Sequence, residues 1–230
     1  MAVPIITSSR QAAEFHGIKC LVYGKAGHGK TYAARTAPKP IILSAESGML
    51  SLRDVDIPVI TIRTVEELSD AYNWAVNSAD AKAFETIYID SISEIGEVVL
   101  SNAKAQVKDP RQAYGELIEK MMLTLKAFRD ISGKHVVMAA KQSTLTDSVT
   151  GTVTYGPSMP GARLGAELPY LFDEVFQLGI GKTPDGLEYR YFRTRPDIQS
   201  EAKDRSGVLD AMEPPDFTHI FNKILTTIKA

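Results

Sequence analysis

A glycine-rich turn, Gly24-Lys25-Ala26-Gly27-His28-Gly29-Lys30-Thr31, follows directly on the apolar run Cys20-Leu21-Val22-Tyr23. Gly24, Gly29, Lys30 and Thr31 have the spacing G-x-x-x-x-G-K-[ST]. Loops of this kind wrap backbone N–H groups around phosphate oxygens, and their glycines remove the Cβ atoms that would block the approach. Lys30 would reach the β- and γ-phosphates, and the Thr31 hydroxyl would bind Mg²⁺. A helix from about residue 31 to 36 would point its positive end at the same anion. The expected ligands are ATP and Mg²⁺, with residues 24–31 as the nucleotide-binding loop.

A second chemical piece is Thr86-Ile87-Tyr88-Ile89-Asp90-Ser91. An apolar strand ending in Asp90 places a carboxylate at the edge where open α/β sheets bind ligands, and there it can hold the water shell of a phosphate-bound Mg²⁺. Hydrolysis also needs a group that orients or deprotonates water. Two residues qualify: Glu46, after the strand Ile41–Ser44, and Glu94, four positions beyond Asp90.

These groups need a sheet to hold them. Short β-rich runs alternate with helical segments, the pattern of a parallel sheet with crossover helices. Strands are predicted over 19–23, 41–44, 59–62, 86–90 and 135–140, and an antiparallel pair over 173–178 and 188–194 around a Pro184-Asp185-Gly186 turn. Thr64 and Glu67 form a capping box ahead of Leu68, Tyr72 and Ala75 on one helical face. Leu117, Met121, Leu125 and Phe128 stripe a helix over 113–131. Phe217, Ile220, Phe221, Ile224, Leu225 and Ile228 stripe the last one. Such stripes predict core packing and no ligand role.

Composition narrows the classes. The 230 residues, 44% hydrophobic and 23% charged, suit one α/β domain or two small ones. A net charge of −2 provides no global basic field, so any nucleic-acid contact must be local. Cys20, the single cysteine, excludes a disulfide framework and a cysteine-based metal site, and is expected to be a buried thiol. The chain lacks an 18-residue apolar run and a signal peptide, so no membrane association and a cytoplasmic location are expected.

In this order the pieces resemble the RecA/RadA recombinase core, and among RecA-like ATPases the chain is most similar to short phage-encoded proteins that anneal single-stranded DNA. The resemblance covers roughly residues 17–228. It implies an α/β fold with a RecA-like P-loop NTPase core: a mainly parallel sheet flanked by helices, with a C-terminal antiparallel hairpin. A single ATPase domain would span 17–230 behind a short arm, 1–16. In such cores the strand after the phosphate-loop helix ends in the catalytic glutamate, which favours Glu46 over Glu94. A polar residue ending a later strand, here Gln142, senses the γ-phosphate and relays to a DNA-binding loop.

That loop would be the stretch of about 25 residues after Gln142, with Lys141, Tyr155 and Arg163 as DNA contacts. A first loop would fall at 104–115, with Lys104, Lys108 and Arg111. Lys203 and Arg205, expected just after the last strand, would reach a neighbour's γ-phosphate as trans-acting fingers. The partners implied are single-stranded DNA, further copies of the chain in a filament or ring, and a single-strand DNA-binding protein in a host cytoplasm. Without RecA's N-terminal polymerisation segment or its C-terminal domain, annealing fits better than full strand exchange. A nucleotide-gated loader or adaptor is the rival reading. A P-loop kinase is disfavoured by the lack of an Arg-rich lid near residues 161–169.

Overall fold

The computed structural model describes residues 7–46 and 48–229; residues 1–6 of the expected arm, Ser47, Ala230 and the side chains of 14, 15, 162, 228 and 229 lie outside the description. In chain order the elements are α1 (Ser9–His16), β1 (Lys19–Gly24), α2 (Lys30–Ala33), β2 (Pro40–Ser44), β3 (Val59–Thr61), α3 (Val65–Asn77), β4 (Thr86–Asp90), α4 (Ile92–Gln106) and α5 (Pro110–Arg129). Then come β5 (His135–Thr146), β6 (Val153–Ser158), α6 (Ala162–Leu171), β7 (Glu174–Lys182), β8 (Glu188–Arg193), β9 (Lys203–Asp204), β10 (Met212–Glu213) and α7 (Phe217–Lys229).

One sheet organises them, in the order β10-β8-β7-β1-β5-β4-β2-β3, with β6 paired to β5 and β9 to β7. The six strands from β7 to β3 run parallel, so their carboxyl ends share one edge. β7–β8 and β5–β6 are antiparallel hairpins. The central strands are buried on both faces, which is why they read as unbroken apolar runs.

Alternation along the strands divides the core. Leu21, Tyr23, Leu43, Ile89 and Met138 face α3, α4, α5 and α6, where the Leu117-Met121-Leu125-Phe128 stripe and the paired Leu164 and Leu168 are buried. Cys20, Val22, Ile42, Tyr88 and Phe176 face Ala33 of α2 and the Phe217, Ile220, Phe221 and Ile224 stripe of α7. Cys20 is a fully buried free thiol. The Thr64–Glu67 capping box forms at the start of α3, and a second, Ser8 with Gln11, starts α1 within the segment expected to be a plain arm.

Two expectations need correction. The stretch after Gln142 is no irregular loop: β5 continues to Thr146, a turn follows, β6 returns and α6 begins at Ala162. Asp147 makes the turn by accepting the Val149 and Thr150 N–H groups through Oδ1, with Gly151 at φ +69°. β-Branched residues on both sides of an Asp-to-Gly turn are a hairpin signal, hidden by the small polar composition of the segment. In addition, β8 is not the last strand. Lys203 lies within β9, paired to Val175 at the amino end of β7. No helix among the described residues is long and apolar enough to cross a membrane.

Candidate functional site

Gly24 ends β1 at the carboxyl edge, and the chain turns over residues 25–29 before α2 starts at Lys30. The glycines are required by their surroundings. A Cβ on Gly24 would lie 2.9 Å from the Leu178 carbonyl of β7, and Gly29 adopts φ +104°, which side chains disfavour. The crest is tied down by His28, whose Nδ1 is 2.9 Å from the Leu178 oxygen. From below, the Tyr88 hydroxyl donates to the Lys30 carbonyl at 2.6 Å, fixing the first turn of α2.

The loop borders a cleft of about 820 Å³ whose lining includes Lys30, Thr31, Glu46, Lys141, Gln142 and Arg190. Lys30 Nζ donates to the carbonyls of Gly24 (2.8 Å) and Lys25 (3.1 Å), so its ammonium lies folded against its own loop. Burial lowers its pKa, against the pull of Asp90 and Glu46. Thr31 Oγ1 donates to Asp90 Oδ2 at 2.6 Å. Asp90 is 1% exposed, and burial raises its pKa despite the Thr31 hydrogen bond. A buried carboxylate beside a hydroxyl, with its charge poorly compensated, is an oxygen donor set suited to a hard divalent cation that phosphates and water would complete.

The two glutamates differ. Glu46 lines the cleft, and its Oε1 accepts a 2.6 Å hydrogen bond from Ser91, the residue after Asp90. Its backbone is held as well: the Ala45 N–H donates to the Asp90 carbonyl at 2.8 Å, and Ser44 Oγ donates to the Glu46 carbonyl. Glu94 sits on α4, is not among the residues that line the cleft, and forms an ion pair with Lys141. That pair raises the Lys141 pKa. Gln142, beyond the end of the β1–β5 pairing, accepts from Gln177 Nε2 at 3.4 Å.

The structure thus brings residues 24–31, Glu46, Asp90, Lys141 and Gln142 to one edge. Tyr155 stands beside that edge without lining the cleft, and Arg163, Lys203 and Arg205 are not gathered there. Tyr155 on β6 is half-buried, its carbonyl accepts from the Tyr23 hydroxyl at 3.1 Å, and Lys25 Nζ lies 5.9 Å from its ring centroid. Arg163 on α6 pairs with Glu167 at 2.8 Å. Lys203 Nζ donates to the carbonyls of Phe172 (2.6 Å) and Pro169 (3.1 Å), and Arg205 pairs with Asp173 at 2.7 Å. Both lie near the amino end of β7, opposite their own phosphate loop. Among the described residues, no group of three or more His, Cys, Asp or Glu side chains could hold a metal by itself.

Sequence reasoning missed Arg190 and Tyr32, and quoted Ser91 beside Asp90 without giving it a role. Arg190 reaches the loop from β8, a juxtaposition no local pattern announces. Tyr32, 47% exposed, lines the cleft with the Arg35 guanidinium 4.8 Å from its ring centroid. Ser91 caps α4 by accepting from the Glu94 N–H, and its bond to Glu46 is what the sequence did not show.

A sequence model described as an AAA domain matches residues 16–206. No curated protein matches the chain. Among solved structures, a KaiC-like protein from the hyperthermophilic archaeon Pyrococcus horikoshii OT3 is 15% identical, with a TM-score of 0.43, over 76% of this chain and 77% of that one. The RadB recombinase is 14% identical, with a TM-score of 0.39, over 77% of this chain and 88% of that one. The fold is α/β, a mainly parallel sheet with helices on both faces and antiparallel C-terminal strands.

Proposed function

The chain belongs to the AAA domain family, and from that premise we propose that it hydrolyses ATP with Mg²⁺ in an assembly of its own copies on single-stranded DNA, promoting annealing or recombination. The observation that carries the hydrolytic part is the convergence of Lys30, Thr31 and Glu46 on one cleft, with Asp90 bonded to Thr31 behind it and Ser91, next to Asp90, bonded to Glu46. Thr31 and Asp90 would hold a Mg²⁺ ion, which would supply neutralisation of the phosphate charge. Lys30 leaves the two loop carbonyls for phosphate oxygens, and the loop N–H groups close around the same anion. Glu46, oriented by the Ser91 hydroxyl, aligns the attacking water and accepts its proton.

Gln142 links the cleft to the β5–β6 hairpin, whose pairing begins one residue earlier at Lys141, so loss of the γ-phosphate is passed to a surface carrying Lys141 and Tyr155, with Arg163 on the helix that follows. Arg205, whose side chain is 58% exposed, is better placed than Lys203 to leave its partner for a neighbour's nucleotide. DNA and annealing come from the resemblance to phage-encoded annealing ATPases, with a single-strand DNA-binding protein as the expected helper.

A second reading is favoured by one observation: Lys141 and Arg163 each already sit on a carboxylate, which leaves little free charge for a DNA backbone. In that reading the ATP state gates a protein partner. The deciding experiment is ATP hydrolysis with and without single-stranded DNA, using Lys30→Ala as control. Several-fold stimulation lost in the variant supports the DNA-dependent ATPase. Turnover indifferent to DNA, with no DNA binding in a non-hydrolysable ATP analogue, leaves the adaptor.

A further inference from the structure

Arg190 is a cation in the cleft to which the phosphate-loop motif gives no work. It stands on β8 opposite Ile180 of β7, two residues before Phe192, whose ring is fully buried against Phe176 and Phe217. Its side chain crosses to the phosphate loop of its own chain. Nε donates to the His28 carbonyl at 2.8 Å, and a Cβ on Gly29 would lie 3.2 Å from that nitrogen. Arg190 lines the same cleft as Lys30, Thr31 and Glu46. Arg35, Arg129, Arg193 and Arg205 each sit on a carboxylate; Arg190 has none, and its two terminal nitrogens have no partner among the described residues.

The strand that carries it is stiffened. A Cβ on Gly179 would lie 2.5 Å from the Tyr191 ring, and one on Gly181 2.7 Å from the Tyr189 ring, so both tyrosines lie flat across the facing strand. β7 is in turn paired with β1, the strand that ends in the loop. Arg190 is therefore held beside a loop built to bind an anion, with donors to spare and no anion of its own chain on them. A guanidinium presents its remaining N–H groups as a planar fork that fits phosphate oxygens.

We propose that Arg190 binds, in cis, the phosphate chain of the nucleotide held by its own loop, using Nη1 and Nη2 while Nε keeps the His28 carbonyl. The inference rests on the phosphate-loop reading and adds a phosphate ligand from a distant hairpin. The experiment compares MgATP and MgADP affinities at several KCl concentrations for wild type, Lys30→Ala, Arg190→Gln and Arg190→Lys, with thermal melts without nucleotide as a check on folding.

The expected result is unchanged melting, about tenfold or more weaker binding for Arg190→Gln, a flatter salt dependence, and partial recovery in Arg190→Lys. Wild-type affinity in Arg190→Gln, or weakening with the wild-type salt dependence, overturns the proposal and leaves Arg190 a prop for the His28 turn. Absence of nucleotide binding by the wild type overturns the phosphate-loop reading and this inference with it, an outcome distinct from a change confined to Arg190.

Discussion

The two edges of the parallel sheet both collect charged groups and use them in opposite ways. At the carboxyl edge, Lys30, Glu46 and Arg190 line an 820 Å³ cleft with Asp90 buried behind Thr31, and their hydrogen bonds go to carbonyls and hydroxyls rather than to one another. At the amino edge, a 560 Å³ cavity is lined by Lys19, Arg129, Asp130, Asp173, Glu174 and Arg205, yet its charges are used up inside the fold. Lys19 Nζ donates to the carbonyls of Ile131 (2.7 Å) and Lys134 (2.8 Å), and Arg129 and Arg205 hold Asp130 and Asp173. Burial, with Asp204 nearby, pushes the Glu174 carboxyl up to about 8. Burial thus favours the neutral acid at Glu174, whose Oε2 no donor reaches. Charge committed to carbonyls and carboxylates away from the carboxyl-edge cleft maintains the fold. Charge left poorly compensated beside a cleft awaits a ligand.

The sharpest way to break this comparison is to remove charge from each edge. Lys30→Ala should abolish measurable ATP binding and turnover, since it removes several charge-assisted hydrogen bonds of about 1.5–3 kcal/mol each. Glu46→Gln should keep nucleotide affinity in equilibrium titration and lower the rate of phosphate release by about 10²–10⁴-fold. At the other edge, Lys19→Met should leave nucleotide affinity unchanged but lower stability in urea by about 2 kcal/mol, because two buried carbonyls lose their donor.

A smaller effect should carry the opposite sign. Asp90→Asn relieves a buried, strained charge while keeping an acceptor for Thr31. It should raise the stability of the nucleotide-free protein by about 1 kcal/mol and eliminate any stabilisation by MgATP. Equal destabilisation by Lys19→Met and Asp90→Asn would dissolve the distinction between the edges.

Acid provides a further test near the amino edge. His135 Nδ1 accepts the Ile18 N–H at 3.1 Å, its ring stacks on Phe221 at 4.3 Å, and burial lowers its pKa to about 4 from 6.5. Between these values the unfolded chain binds more protons than the folded one, so stability falls as pH drops from about 6.5 toward 4, by at most about 3 kcal/mol. His135→Asn should remove that component from denaturant melts recorded across the window.

The cleft was legible in the sequence wherever neighbours in space are neighbours in the chain. Gly24 to Thr31 is one turn, Asp90 closes an apolar strand, and Glu46 follows another, so a parallel sheet delivers all three to one edge. The hairpin at 141–158 was obscured by its small polar residues, and α6 by Pro169 within its last turns. Lys203 and Arg205 looked like free cations because the sequence does not show the Phe172 carbonyl and Asp173 that hold them.

The sequence alone determined the phosphate-binding loop, the central strands and the helical stripes, because each rests on backbone geometry or periodicity within a few residues. Only the tertiary structure decided which charges are spent and which stay open. It set Arg190 on His28 across 162 positions of chain, joined Ser91 to Glu46 across 45, and tied Lys19 to the Lys134 carbonyl across 115. A charged side chain's role depends on whether burial brings it a partner from its own chain. That partner is fixed by the strand order of the sheet, which local sequence does not contain.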